Sequence, residues 1–298
     1  MADGSGAKWT GKSRGGRAGY LFFVYMIRWT GVRGAYLLLA LVVGYFIPFA
    51  PKSTKAIWIY NREIRRLGIL KSVWELYMHY YTFGQTLIDK IAIKSSCGGK
   101  YNFEFDNYDS FLEVINRNQG VVVIGAHVGC WEAGVGFFGK YGKRMNVVML
   151  DAEHAQIKEV LEESAAESNS YKVIDIGADS INALLEIKIG LNNGEYACFN
   201  GDRFLNGHTA VRHTFMGCSA QFPVGPFRIA AKCATPVIFY YALREPNRTY
   251  RFVFEEAWRV SRNGYGELMQ QYIRSLERVV RRYPRQWFNF YEFWDRNS

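Results

Sequence analysis

The chain has 298 residues, enough for one large α/β domain with an appendage. Its five cysteines lack the spacing of metal ligands and indicate free thiols in a reducing compartment. The net charge of +10 lies at the ends, because residues 1–66 carry a net +9 and residues 244–298 a net +4, whereas residues 67–243 carry −3. Basic residues that flank an apolar, aromatic segment are typical of proteins that contact anionic lipid, and this distribution argues against nucleic acid as a partner.

The N-terminal residues predict a disordered basic tail over residues 1–19, followed by a membrane-anchoring segment over residues 20–50. The uninterrupted apolar run Ala35–Ile47 has thirteen residues, fewer than the roughly 20 that a spanning helix needs. Extension back to Leu21 reaches spanning length but includes two arginines. We expect an anchor in the cytoplasmic side of the bilayer. A single span and a hairpin buried in the core are the alternatives.

Residues 54–92 carry apolar and aromatic residues at helical spacing and predict one or two amphipathic helices, which either pack on the core or lie against lipid. From Tyr101 onward, strands alternate with helices. The predicted strands are Tyr101–Phe105, Val121–Ile124, Met145–Leu150, Tyr171–Ile176, Tyr196–Phe199, Val237–Leu243 and an antiparallel Arg251–Phe254. The predicted helices are Tyr108–Asn118, Glu153–Ser168, Ser180–Leu191, Pro226–Cys233 and Tyr265–Tyr283.

Repeated strand–helix units of this length predict an α/β fold with a largely parallel, mixed sheet and helices on both faces. The N-terminal hydrophobic, membrane-associating helical segment precedes this fold. After Pro284, the chain ends in the unusually aromatic stretch QWFNFYEFW. We expect this stretch to pack under the domain, with a position at the membrane interface as the alternative.

A first candidate site follows the buried strand Val121–Ile124. Gly125 and Ala126 permit a sharp turn, His127 is predicted to start a helix, and Glu132 follows five positions later. A neutral imidazole accepts a proton from a hydroxyl or amine, and a carboxylate on its other nitrogen fixes the tautomer. Cys130 would point away from His127 on a helix, which favours direct transfer over a covalent enzyme intermediate. The alternative is a polar first helical turn without chemistry.

A second candidate site, Gly201–Arg203, also ends a buried strand. The carboxyl ends of parallel strands meet at one edge of a sheet, so we expect the two sites to share a crevice. Arg203 can donate two parallel hydrogen bonds to a phosphate or a developing oxyanion, with Asp202 orienting it or capping a helix. A surface salt bridge is the alternative interpretation.

A third segment combines Phe215–Gly217 with Gln221–Pro226. Its glycines permit close approach of the backbone, and a helix that begins near Pro226 offers free N–H groups to an anion. His208 and His213 lie five residues apart without a third ligand at plausible spacing, so we interpret both as loop residues and expect no metal site.

Taken in this order, the motifs GAHVGCWE, NGDR, FMG with FPVGP, and the PRQWF tail resemble those of the lysophospholipid acyltransferase superfamily. The branch that the chain resembles is that of the lipid A late (lauroyl/myristoyl) acyltransferases. The resemblance covers about residues 20–295. One departure is Cys130, which stands where the family pattern has Asn.

The resemblance implies transfer of a fatty acyl group from an acyl carrier protein or coenzyme A thioester to a hydroxyl or amine of a membrane lipid, without a cofactor. It implies a location on the cytoplasmic face of the bacterial inner membrane, with residues 51–298 as the acyltransferase domain. The implied catalytic residues are His127 and Glu132 of an H-x4-E motif and Arg203, and the implied substrate-binding residues are Gly129, Trp131, Asp202 and Gly225. A non-catalytic membrane-binding protein of this fold and an acyl hydrolase remain alternatives.

Overall fold

The computed structural model of the protein describes residues 17–94, 101–117, 119–134, 143–149, 171–176, 180–203 and 209–295. The helices are α1 (Arg17–Phe49), α2 (Pro51–Ile59), α3 (Ile69–Lys94), α4 (Tyr108–Asn116), α5 (Ser180–Asn192), α6 (Gly225–Cys233) and α7 (Tyr265–Arg282). The strands are β1 (Asn102–Asp106), β2 (Val121–Gly125), β3 (Met145–Met149), β4 (Tyr171–Asp175), β5 (Tyr196–Asn200), β6 (Ala210–Phe215), β7 (Cys218–Pro223), β8 (Val237–Glu245) and β9 (Thr249–Glu256).

Seven strands form one mixed sheet in the order β1-β9-β8-β2-β5-β3-β4. Neighbouring strands pair in parallel except β8 and β9, which pair antiparallel as the sequence predicted. Apolar side chains of α5, α6 and α7 cover one face of this sheet, and those of α4 cover the other. The predicted α/β class is therefore confirmed, with helices on both faces. The predicted helix Glu153–Ser168 lies outside the described residues.

Strand β2 lies near the middle of the sheet, between β8 and β5, and all five of its residues are buried. Its β-branched run Val121–Ile124 suits a strand that is covered on both faces. In the parallel pairing with β5, Gly125 lies opposite Asn200. The two strands therefore end at the same height, and this register brings the residues that follow them together.

Helix α1 packs along α3 and contains the one candidate membrane span among the described residues, Leu21–Phe49. The helix is broken at Gly31, whose φ of +70° lies in the left-handed region that glycine adopts without strain. One face of α1 packs against α3 through Ile27, Val32, Ala35, Leu39 and Val43. Large apolar residues on its other side are exposed, among them Trp29, Leu37, Leu41 and Tyr45. This segment is therefore not a hairpin buried in the core.

A buried carboxylate joins α1 and α3 to the sheet. Asp89 of α3 is fully buried and accepts hydrogen bonds from the hydroxyls of Tyr101 and Tyr250, each at 2.8 Å, and from Tyr36 of α1. Arg244 of β8 completes the cluster, with its Nε 2.9 Å from the Asp89 carboxylate. A buried charge of this kind requires a partner and hydrogen bonds, so the cluster fixes the N-terminal helices on the domain.

The hairpin formed by β6 and β7 was not predicted from the sequence. The glycine of Phe215–Gly217 was expected to permit close approach of the backbone. In the structure Met216 and Gly217 form the two-residue turn of this hairpin, with φ values of +56° and +84°. Positive φ at both central residues matches the right-handed twist of the flanking strands. Gly217 therefore serves the turn.

Helix α5 carries apolar residues on two sides, and only one of the two sides packs on the sheet. Ile181, Leu184 and Leu185 are exposed, whereas Ala183 and Ile187 are buried in the core. The predicted helix is therefore confirmed, and its contact with the sheet decides which of its apolar residues are buried.

The aromatic C-terminal tail packs under the domain, as predicted. Trp287, Phe288, Phe293 and Trp294 are all buried, and the Trp294 indole donates to the Phe215 carbonyl at 3.1 Å. The backbone of this tail, residues 283–295, reaches the end of strand β2, where the first candidate site lies.

Candidate active site

The ends of β2 and β5 meet in the structure, as the sequence predicted. The Gly201 N–H donates to the Gly125 carbonyl at 2.9 Å, and the Tyr272 hydroxyl of α7 donates to the same oxygen at 2.9 Å. A Cβ at position 201 would lie 2.7 Å from the Tyr272 ring and 2.9 Å from Ile124 Cγ2. Gly201 is therefore required for the approach that brings the next residue, Asp202, to the end of β2.

His127 and Asp202 form the central contact of this site. His127 Nδ1 lies 2.8 Å from Asp202 Oδ1, and the His127 backbone N–H donates to Asp202 Oδ2 at 3.0 Å. The Asp202 side chain is 2% exposed and that of His127 is 19% exposed. The carboxylate thus lies behind the imidazole on the protein side. Nδ1 faces the carboxylate, and Nε2 is the ring nitrogen on the other side.

The pKa of Asp202 is lowered from its ordinary value. Burial by itself raises this pKa, but the neighbouring His127, through charge and hydrogen bonding, and the charge of Arg203 lower it by more. Asp202 is therefore ionised at neutral pH. An ionised carboxylate at Nδ1 holds the proton of a neutral imidazole on that nitrogen and stabilises the imidazolium that forms when Nε2 accepts another.

The residues after His127 do not form the predicted helix. Val128 forms an antiparallel bridge to Trp287, Gly129 a parallel bridge to Ala242 of β8, and the Cys130 N–H donates to the Ala242 carbonyl at 2.8 Å. Gly129 has a φ of +68°, and a Cβ there would lie 1.9 Å from the Ala242 oxygen. Pairing with distant segments overrides the local helical pattern, and a short 3₁₀ turn follows only at Trp131–Gly134.

Glu132, the predicted partner of His127, lies in this 3₁₀ turn, but its side chain lies outside the described part of the chain. Its pairing with His127 stays a prediction. The sequence predicted a carboxylate on one nitrogen of the His127 imidazole. In the structure Nδ1 has such a partner, which is Asp202. Substrate binding by Asp202 stays a prediction, and the structure places its side chain in the interior behind His127. Trp131 is partly buried against the α4 side of the sheet.

Arg203 is next to the pair and is held by the C-terminal tail. Its Nη2 donates to the Phe288 carbonyl at 2.5 Å, and its guanidinium lies over the Tyr291 ring at 5.8 Å. The Tyr291 hydroxyl donates to the Asp202 backbone carbonyl at 3.2 Å. Arg203 is therefore fixed beside the Asp202 carboxylate, whose pKa its charge helps to lower.

Two other predicted positions lie on α6 and β6, and substrate binding by Gly225 stays a prediction. Gly225 is the exposed first residue of α6. His213 is part of strand β6, so its interpretation as a loop residue was wrong. His208 lies outside the described residues. Within the part of the chain that the structure describes, no three His, Cys, Asp or Glu side chains are grouped as metal ligands. The described cysteines 130, 198, 218 and 233 are free thiols.

Sequence reasoning missed the contacts that surround Asp202. The Trp287 indole Nε1 lies 3.3 Å from Asp202 Oδ2, and Tyr291 and Tyr272 bond to the backbone on either side of the pair. The density of aromatic residues in the tail was visible in the sequence. Trp287 contacts Asp202, which lies 85 positions earlier in the chain. No local sequence pattern indicates such a contact.

The family model described as bacterial lipid A biosynthesis acyltransferase matches residues 79–296, more than half of the chain. The match begins within α3 and includes every strand of the sheet, both strand ends of the candidate site and the C-terminal tail. Helices α1 and α2 precede it. A comparison with curated proteins finds no match.

Proposed function

Because the chain belongs to the bacterial lipid A biosynthesis acyltransferase family and is an acyltransferase, we propose that it moves a fatty acyl group from a thioester to a hydroxyl or amine of a membrane lipid. Acyl carrier protein and coenzyme A are the two candidate donors. The observation that carries the mechanism is the ionised, buried Asp202 at Nδ1 of the partly exposed His127.

His127 acts as the general base in this proposal. The acceptor's O–H or N–H proton moves to His127 Nε2 as the acceptor atom attacks the thioester carbonyl carbon. The tetrahedral intermediate then breaks its C–S bond, and the thiol of the donor leaves with the proton from Nε2. Asp202 stabilises the imidazolium between these steps. Glu132 is a second candidate carboxylate for the same site.

Arg203 is the proposed donor to the developing oxyanion. The backbone N–H groups of His127, Gly129 and Cys130 donate to Asp202, Gln286 and Ala242 respectively. These N–H groups, which follow strand β2, are therefore already hydrogen-bonded within the protein. A guanidinium next to the dyad supports charge stabilisation in the transition state, where a preorganised donor has its largest effect.

Arg203→Lys is expected to lower turnover by roughly 10²–10³-fold, nearly as much as Arg203→Ala, because one preorganised donor is lost and an ammonium lacks the planar fork of a guanidinium. Steady-state kinetics with a thioester donor would measure this effect. Arg228→Lys is the control, since Arg228 is exposed and lies over a tyrosine ring, Tyr265, away from the dyad. A rise confined to the donor's KM would limit Arg203 to attracting the donor's negative charge.

Attachment to the cytoplasmic face of the membrane through α1 is part of the same proposal. We expect washing with about 1 M salt, where the Debye length is about 3 Å, to leave the full-length protein in the membrane fraction. Salt screens the attraction of basic residues to lipid, but the burial of exposed α1 residues such as Leu37 and Leu41 in lipid is not screened. Sedimentation after salt and after detergent would measure it, and complete release by salt would contradict the apolar anchor.

The reaction itself is tested by incubating the purified full-length protein with acyl carrier protein thioesters, or with coenzyme A thioesters, and a bacterial lipid extract. Mass spectrometry of the lipids is expected to reveal an acceptor heavier by one acyl group. Free fatty acid in place of acylated lipid would favour a hydrolase. The absence of both products with every donor would favour a non-catalytic protein of this fold.

A further inference from the structure

We propose that Trp287 and Tyr291 of the C-terminal tail are positioning residues that act on acyl transfer through Asp202. This inference rests on the proposed function, because it concerns the orientation of the His127–Asp202 pair. Neither residue is assigned to contact the acyl donor or the acceptor. Their effect on the reaction comes from the carboxylate that they hold.

The backbone of the tail is tied directly to the loop that carries His127. The Gly129 N–H donates to the Gln286 carbonyl at 2.9 Å, and the Phe288 N–H donates to the His127 carbonyl at 2.8 Å. Between these two bonds lies the antiparallel bridge of Val128 with Trp287. The tail thus adds a short strand to the loop and fixes the backbone of His127.

Trp287 and Tyr291 continue this attachment to Asp202. The Trp287 indole Nε1 is 3.3 Å from Asp202 Oδ2, which also accepts the His127 backbone N–H at 3.0 Å. The Tyr291 hydroxyl donates to the Asp202 backbone carbonyl at 3.2 Å. With two donors on Oδ2 and the backbone held, the carboxylate keeps Oδ1 toward His127 Nδ1. A carboxylate that turns away would leave the imidazole without its oriented partner.

The tail is itself rigidly held, as a positioning element must be. Trp287 is 1% exposed, and its ring makes edge contacts with Tyr60, Phe215 and Phe293 at centroid distances of 5.5, 5.4 and 5.0 Å. At the start of the tail, Arg285 bonds to Glu75 of α3 at 2.6 Å. The indole is therefore confined to one orientation, with its N–H directed at Asp202.

The test compares Trp287→Phe with Trp294→Phe in the full-length protein. Both tryptophans are buried in the same tail, and each indole donates one hydrogen bond, but that of Trp294 goes to the Phe215 carbonyl. We expect Trp287→Phe to lower kcat roughly tenfold, the effect of one hydrogen bond to a charged group, with KM changed less than about twofold. The control variant should keep kcat within about twofold of the unaltered protein, while thermal unfolding shows whether the two lose similar stability.

A double-substitution cycle separates action through Asp202 from a general structural role. In the Asp202→Asn background the dyad is already disabled, so Trp287→Phe should lower kcat by less than about twofold further. Tyr291→Phe removes only a hydroxyl and serves if Trp287→Phe does not fold. Tyr291→Phe should also lower kcat when it is the only substitution, and it should have no further effect in the Asp202→Asn background.

The outcomes separate the two proposals. No acyl transfer by the unaltered protein would overturn the proposed function. Acyl transfer by the unaltered protein with kcat values for Trp287→Phe and Tyr291→Phe equal to that of Trp294→Phe would overturn the positioning role alone. Effects that multiply in full with that of Asp202→Asn would overturn it as well.

Discussion

His127→Ala is expected to lower the rate of acyl transfer by roughly 10²–10⁴-fold, the usual contribution of a general base. The imidazole stands at the end of the central strand β2 with Nδ1 bonded to Asp202, and in the proposed mechanism Nε2 accepts the acceptor's proton. The methyl group of alanine at position 127 cannot accept this proton. Single-turnover acyl transfer at saturating donor would measure the loss independently of donor affinity.

His213→Ala is the matched control for this experiment, because His213 lies on the β6–β7 hairpin and has no part in the proposed reaction. It should retain activity within a few-fold. If His127→Ala, folded according to its thermal unfolding, also stays within a few-fold, then His127 is not the base and the assignment of the dyad is incorrect.

Asp202→Asn is expected to lower turnover by up to about 10⁴-fold, the scale known for the carboxylate of a Ser–His–Asp triad. The amide has nearly the same shape, but it carries no charge to stabilise the imidazolium and can hold the wrong imidazole tautomer. Since the carboxylate is buried behind His127, the loss should fall on kcat rather than on the KM of the donor. The measurement is steady-state kinetics over a range of donor concentrations.

Glu132→Gln, measured alongside, distinguishes the two candidate carboxylates. A severe loss for Asp202→Asn with a smaller one for Glu132→Gln would assign the orienting role to Asp202. Equal, severe losses would assign a second task at the site to Glu132. If Asp202→Asn is nearly as active as the unaltered protein, the contact of 2.8 Å with His127 serves only to hold the strand ends together.

The sequence by itself determined the sheet and the two places where chemistry was expected. The apolar β-branched run Val121–Ile124 has no polar periodicity, and such a run fits a strand covered on both faces. Small residues after β2 and β5 mark the turns. Because parallel strands end at one edge, the convergence of His127 and Arg203 was also predictable without coordinates. Each of these inferences depends on neighbours in the chain or on a general rule of topology.

The tertiary structure alone placed the carboxylate of Asp202 against the imidazole of His127. Asp202 is adjacent to Arg203 in the chain, and the expectation was that it orients that arginine or caps a helix, yet it bonds to His127, 75 positions away. Likewise, the residues after His127 carry a helical pattern, but they pair with β8 and with the tail. Hydrogen bonds to Asp202, to β8 and to the tail satisfy the backbone N–H groups of His127, Gly129 and Cys130, and no local propensity contains them. The partner of a side chain depends on strand register and on the path of the tail, which are properties of the folded chain.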